Sequence, residues 1–495
     1  MDKEITIIGS GMGGLASGIY ARLNGYRATI FEQHALPGGQ CASWKRKGYT
    51  LDGCIHHLMG CEPGSRLYTL WEELGVMPRE LAATKECVSV ASPEGRMFLD
   101  YYDTEALEQH LKDLSPRDAS TIEQYARAIP RFARYDLMGE AMMGTRTGLL
   151  KMLPGLLGLA KWFRPNMEQF AGRFRDPFLR RAFPLLEYSI KDMPFFMHLA
   201  KHAYGYRGGI EWPVGASIGL ARSMEKRFLE LGGEVHYRSG VERVLTEGGK
   251  ATGVILEDGS EHRSDIVISN ADGRKTIIGM LGGRFINESI RKFCRPPLDD
   301  ETPWAVHVFL GVARDLSDEP SALVQLLEEP VTIAGHMTDS LEMQMYGFDP
   351  TIAPQGKGVI KVELVSSYSK WKELYSDKKR YDWEKERVAE QVIDVLESTH
   401  FPGIRGQIEV VDVPTMMTWE RFMGGSYGFM TGPARKFSPM DMFFGKGYST
   451  LPGLSNFYLV GTWATATGAL FANARSGRRA IQAACESEGK SFVSR

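Results

Sequence analysis

The chain has no long hydrophobic run. Nowhere among its 495 residues do ~18 uncharged apolar residues follow one another, so no membrane-spanning helix is expected. Cysteine is scarce: Cys41, Cys54, Cys61, Cys87, Cys294 and Cys485 are all there are, and no Cys-x-x-Cys pair occurs. That argues against a disulfide scaffold and fits a reducing compartment. Charge of one sign is lacking too: a formal net charge of -2 is far from the basic excess of a nucleic-acid binder. No signal or transit peptide is expected before the apolar strand at Ile5, and the final SFVSR has no prenylation motif. A cytoplasmic location is therefore expected. No Ser/His/Asp arrangement, phosphate-transfer loop or metal-ligand spacing stands out.

What is present starts at once. Residues 5–32 read ITIIGSGMGGLASGIYARLNGYRATIFE. A β-rich run leads into Gly9, Gly11 and Gly14 as G-x-G-x-x-G, with Met12 and Gly13 inside it. A helical stretch then places Leu15, Ile19 and Leu23 on one face. A second strand ends at Glu32. The spacing suits a dinucleotide: a tight turn at Gly9, close approach to a pyrophosphate at Gly11, and close helix packing at Gly14. The helix N-terminus faces the phosphates. An acid at 32 accepts ribose hydroxyls and argues against a 2′-phosphate. Gly38 and Gly39 follow in HALPGGQCASW, a second glycine pair that an extended FAD requires and NAD does not. No second G-x-G-x-x-G is there for NAD(P)H, so any electron donor or acceptor is expected to visit transiently, or none is needed.

In these residues the chain resembles the phytoene desaturase-like flavoproteins, which include carotenoid isomerases and retinol saturases. Two further blocks carry the resemblance. One, at 211–272, has Pro213, Gly215, Gly232–Gly233, Val241 with Val244, and Asn270–Ala271–Asp272. The other is LSNFYLVGTWATATGALFANARSGRRAIQAA at 454–484. The three blocks cover about a third of the chain. The resemblance implies an α/β fold with a discontinuous Rossmann-type FAD-binding domain, an α+β substrate domain, and a helical lid or membrane-facing region. FAD-binding parts are expected at 1–75, 206–285 and 446–495, the helical region at 76–205 and the substrate domain at 286–445. It further implies noncovalent FAD held by Gly9, Gly11, Met12, Gly13, Gly14, Glu32, Gly38, Gly39, Gln40, Ser43, Val241, Gly461, Thr462, Phe471, Asn473 and Ala474. The helix near Phe471–Ala474 would point its positive end at the flavin. Two positions depart from the pattern: Gln40 where many members have Arg, and Thr462 where many two-dinucleotide flavoproteins have Asp.

The segment YTLDGCIHHLMG, 49–60, is similar to a stretch of the saturase-like branch, with Asp52, Ile55 and His56 matching. Adjacent histidines on an extended segment point to opposite faces, which disfavours a metal site. His56 or His57 is expected beside the flavin or substrate; the alternative is a histidine that only bonds a backbone carbonyl. Tyr427 and Trp419 are candidate pocket walls. Around 138–170 the sequence is rich in Met, Leu and Gly, with Lys151, Lys161 and Arg164 flanking the apolar run. This suits either a peripheral membrane contact admitting a lipid-like substrate or a helical core. The resemblance implies a hydrophobic polyene as substrate, with saturation or isomerisation favoured over desaturation by the His56 segment. An amine oxidase-like enzyme and an unsaturated fatty acid isomerase or reductase remain alternatives.

Overall fold

The computed structural model describes residues 3–77, 79–143, 157–187, 192–295, 301–425, 449–465 and 468–495. Five parallel strands form one sheet, in the order Glu234–Tyr237, Arg27–Glu32, Glu4–Ile8, Ile266–Ser269, Phe457–Leu459. These strands come from three widely separated stretches of chain. A parallel sheet needs cover on both faces, and the alternation of side chains supplies it. Ile5, Ile7, Ile30 and Ile268 pack with Leu15 and Ile19 of the helix Met12–Leu23 and with Ile481 of the C-terminal helix Leu470–Ser487. Ile8, Phe31, Val267 and Phe457 face the other way, onto Val244 and Val254 of the antiparallel meander Val241–Glu247, Lys250–Leu256, Glu261–Arg263. The result is a helix, sheet and meander sandwich.

A seven-stranded sheet forms the second body, in the order Ile408–Asp412, Glu301–Val312, Gly358–Ser367, His336–Met345, Ala322–Ile333, Glu86–Ala91, Met97–Tyr101. Its two faces differ in chemistry. Val306, Val308, Leu310, Ile360, Val362 and Leu364 pack against the helix Lys378–Ser398 through Val388, Val392 and Leu396. The intervening residues His307, Lys361 and Glu363 lie on the opposite face. The last two strands of this sheet fall within the 76–205 stretch expected to be helical. Their Cys87, Val88, Val90 and Phe98 are buried, so that stretch supplies a sheet edge as well as helices.

The helices Thr104–Leu114, Ala119–Ala133 and Phe195–Tyr206 stack beyond that edge around the aromatic rings of Tyr125, Phe170, Phe183 and Phe195. Of the Met- and Leu-rich run, residues 144–156 lie outside the described residues, and with them Lys151. Among the described residues, no helix is long and apolar enough to cross a membrane.

Candidate functional site

The first strand leaves the sheet at Gly9, whose φ of 90° is open to glycine without strain. Its amide donates to the Phe31 carbonyl at 2.8 Å. The helix begins at Gly11 with no side-chain cap and no acidic residue in its first turn. Met12, Gly13 and Gly14 are nevertheless buried. Buried first-turn amides without a protein cap suit an anion. A Cβ on Gly14 would sit 2.0 Å from the Gly9 carbonyl oxygen, which is why the helix can lie so close to the strand. The second glycine pair docks on the first: the Gly38 amide donates to the Ser10 carbonyl at 2.9 Å, and Gly11 and Gly38 form a parallel bridge. Gly39 and Gln40 continue from this junction.

Glu32 closes the cradle at the end of the second strand. It is buried, and its Oε2 accepts from the Ser10 amide at 2.7 Å and hydroxyl at 2.8 Å, while Oε1 accepts from the His34 amide at 2.8 Å. A carboxylate has room for about four donors, so one acceptor site is left for a ribose hydroxyl. The Ser239 amide donates to the Glu32 carbonyl at 2.8 Å, which brings the meander, starting at Val241, over the same end. From the third stretch of chain come Gly461, Thr462 and the helix Leu470–Ser487, which also lacks a side-chain cap and an acidic first turn. Thr462 accepts from Asn473 Nδ2 at 3.4 Å and Thr465 donates to Asn473 Oδ1 at 3.0 Å. Phe471 and Ala474 are buried on the helix. The Asn270 side chain occupies the space that a Cβ on Gly11, Gly13 or Gly461 would enter, so it joins the first, second and third blocks. Ser43 is engaged elsewhere, donating to Asp52 Oδ2 at 2.8 Å and accepting from the Ile218 amide at 3.3 Å.

Asp52, fully buried, is the anchor of the histidine segment. It accepts from Ser43, from the Cys54 amide at 3.0 Å, and from the Ser217 amide and hydroxyl at 2.6 and 2.8 Å. The chain then passes Gly53, where a Cβ would meet the Trp419 ring at 2.8 Å and the Trp44 ring at 3.1 Å. The two histidines diverge beyond it. His56 Nε2 reaches Glu363 Oε2 at 2.9 Å. Lys361 Nζ pairs with Glu363 Oε1 at 2.9 Å, and His307 Nε2 lies 3.7 Å from the same oxygen. Burial opposes ionisation of Glu363, but the charges of His56 and Lys361 and the His56 hydrogen bond hold it well below the usual carboxylate range. His57 faces the helical side instead. Burial, reinforced by the Lys201 charge, pushes it down to about 3, so it is neutral at physiological pH.

Aromatic rings wall this cluster. Trp419, buried, lies 6.0 Å from Trp44 and 5.3 Å from His307, and Trp44 lies 5.4 Å from Phe309, all edge to face. Tyr427, the other expected wall, lies outside the described residues. His307, Lys361 and Glu363 were not among the expected site residues. Their signal is the alternation in AVHVFL and VIKVELV, which sets a polar side chain at every second place of an otherwise apolar strand. Among the described residues, no group of three or more His, Cys, Asp or Glu is disposed to hold a metal ion.

Residues 7–74 match the family model of an NAD(P)-binding Rossmann-like domain. Prolycopene isomerase of Daucus carota is 24% identical over 447 residues, covering 87% of this chain and 72% of its own. The neurosporene-forming phytoene desaturase of Cereibacter sphaeroides is 26% identical over 427 residues, covering 81% and 79%. Among solved structures, an oxidoreductase from Methanosarcina mazei superposes with a TM-score of 0.64 at 19% identity, covering 97% of this chain and 100% of its own; at that identity the likeness is one of fold.

Proposed function

Because the chain is homologous over most of its length to phytoene desaturases and prolycopene isomerases, we propose that it is an FAD-dependent oxidoreductase or isomerase acting on the carbon–carbon double bonds of a hydrophobic polyene, carotenoid- or retinoid-like. Saturation or cis–trans isomerisation is favoured over desaturation. One observation carries this reading: the ion cluster of His56, Glu363 and Lys361 adjoins His307, whose ring meets the aromatic wall of Trp419 and Trp44 edge to face. A conjugated chain offers almost nothing to hydrogen-bond, and flat aromatic walls hold it by area and ring geometry. Ionisable groups beside such a wall serve the one polar need of the reaction, a proton.

The cradle fits a dinucleotide. Gly11, Met12, Gly13 and Gly14 would hold the pyrophosphate, Glu32 a ribose, Val241 the adenine side, and Thr462 with the helix from Leu470 the flavin side, without a covalent link. FAD, when bound there, supplies hydride exchange with carbon. The chain does the rest. Asp52 fixes the segment that presents His56. Glu363, kept ionised, orients the imidazole through Nε2 and balances the charge of a protonated ring, the source of the proton that saturation of a double bond consumes. Trp44 and Trp419 keep water out. The deciding experiment is an anaerobic absorbance titration of the FAD-loaded protein, oxidised and dithionite-reduced, with retinol and a short carotenoid, followed by product analysis. Reoxidation with loss of one double bond identifies a saturase. A changed cis/trans ratio with the flavin left reduced identifies an isomerase. Absence of flavin binding overturns the reading.

A further inference from the structure

Away from the cradle, on the His57 side, the protein buries a second set of ionisable groups that none of the chemistry above uses. Glu187 accepts from Lys201 Nζ at 2.8 Å and is 2.8 Å from His198 Nδ1. His198 Nε2 is 2.7 Å from the Tyr125 hydroxyl, which is 2.8 Å from Asp100 Oδ1. His202 Nε2 lies 3.2 Å from that same oxygen. Asp100, Tyr125, His198 and His202 are fully buried, and Glu187 and Lys201 nearly so. The Cys87 thiol, also buried, adjoins Lys201, and burial pushes it up to about 12, so it adds no charge. The inner end is the Lys201 ammonium, whose charge acts on His57. The outer end is His202, whose ring meets that of Tyr102 at 5.6 Å. Tyr102 lines a surface cleft of about 410 Å³ together with Lys85, Asp103 and Glu211.

Charge counting restricts what this chain of groups can hold. Two carboxylates face one ammonium, and an uncompensated buried charge is costly. One imidazolium restores neutrality. Its seat follows from donors and acceptors. If the Tyr125 hydroxyl donates to Asp100, its oxygen accepts from His198 Nε2–H, and His198 also donates Nδ1–H to Glu187, so His198 carries both protons. If the hydroxyl turns to donate to His198 Nε2, that ring needs only its Nδ1 proton, and the extra proton belongs on His202 against Asp100. The His198 seat has two close partners, whereas the His202 contact with Asp100 is not aligned as a hydrogen bond, so His198 is the resting seat.

We propose that Lys201, Glu187, His198, Tyr125, Asp100 and His202 form a proton relay that stores one mobile proton, on His198 or on His202, with the Tyr125 hydroxyl as its gate. Transfer moves a proton from His198 Nε2 to the Tyr125 oxygen, the Tyr125 proton to Asp100 Oδ1, and one from there to His202 Nε2 of the Nδ1–H tautomer. Net charge is unchanged and no co-reactant is consumed. The relay lies between the cleft lined by Tyr102 and the Lys201 ammonium, whose charge acts on His57, and its service to turnover rests on the function proposed above.

The store is tested by ¹⁵N NMR of the full chain with labelled histidine, the two signals assigned through His198→Gln and His202→Gln, from about pH 6 to about pH 9. One ring is expected to carry protons on both nitrogens through neutral pH, and Tyr125→Phe is expected to abolish that signal or move it to the other ring. Two neutral rings, two charged rings, or an imidazolium indifferent to Tyr125→Phe overturns the proposal. Should Tyr125→Phe fail to fold, Glu187→Gln is read instead, and it too must abolish the His198 imidazolium. In the FAD-loaded protein turning over a polyene, Tyr125→Phe should retain FAD and slow the proton-dependent step by about tenfold or more; an unchanged rate overturns the relay. A wild-type protein with the shared imidazolium but no polyene turnover refutes the polyene reading and supports the store.

Discussion

His56 Nε2 stands 2.9 Å from Glu363 Oε2 although 307 residues of chain separate them. The carboxylate is shared with Lys361, which is fully buried. Removing one member of such a pair strands the other's charge in the interior. Glu363→Gln is therefore expected to lower the unfolding free energy by about 3–5 kcal/mol, and the double variant Lys361→Met with Glu363→Gln to recover most of it. Urea unfolding of the wild type, both single variants and the double variant measures the coupling. Additive losses would show that the two groups do not depend on one another.

Glu32 meets the cradle through a single remaining acceptor site, so its worth to the cofactor is that of a charged hydrogen bond. Glu32→Ala is expected to weaken FAD binding by about 1.5–3 kcal/mol, about ten- to hundredfold in Kd. The Ser10 amide and hydroxyl also lose their acceptor, so the apoprotein should melt lower as well. Flavin fluorescence titration reads the first effect and thermal unfolding without FAD the second. An unchanged Kd would show that the ribose is held elsewhere.

The parts of the molecule that were legible in sequence are those whose physics is local. Gly9, Gly11 and Gly14 state their strand, turn and helix within a few residues, and Glu32 follows one strand later. The alternation that makes Lys361 and Glu363 share a face is equally local, but its meaning is not: a buried lysine makes sense only once His56 and Glu363 are seen together. Asn270 is the same case, because the three glycines around it come from two distant stretches of chain. The strands Glu86–Ala91 and Met97–Tyr101 were missed because an edge pairing with Ala322–Ile333 lies more than two hundred residues away. The buried chain from Asp100 to Lys201 was not legible at all, since Asp100, Tyr125 and Glu187 come from a strand, a helix and a short turn, and only His198, Lys201 and His202 share one helix.

Acid should loosen the protein in two overlapping windows. The folded state holds His57 down at about 3, below the ordinary value of about 6.5. The unfolded chain therefore binds the extra proton first, and stability present above about pH 6.5 is lost as pH falls toward 3. Glu187, where burial is outweighed by Lys201 and His198, is held at about 2; its contribution is present above the ordinary value of about 4.3 and is lost as pH falls toward 2. His57→Gln is expected to remove about one proton of linkage between about pH 4 and pH 6, a slope of about 1.4 kcal/mol per pH unit. Unfolding free energies of wild type and variant across that range test it, and parallel curves would mean that His57 titrates alike in both states.

Trp419 carries the sharpest contrast between protein and ligand. Its indole Nε1 is buried and has no hydrogen-bond partner among the described residues, while its ring is packed against Trp44, His307 and the backbone at Gly53. A buried donor without an acceptor costs about 1–3 kcal/mol. Trp419→Phe removes the donor and keeps most of the apolar contact, so the loss of packing and the relief of the orphan offset each other. The apoprotein is expected to change by less than about 1 kcal/mol. A flavin, unlike a polyene, offers ring oxygens and nitrogens as acceptors. If Nε1 is reserved for such an acceptor, the stabilisation gained on FAD binding should fall by about 1 kcal/mol in the variant. Unfolding with and without FAD separates the cases: a large loss in the apoprotein would mean that the indole N–H is satisfied within the chain, and an unchanged FAD increment would place Trp419 in the substrate wall alone.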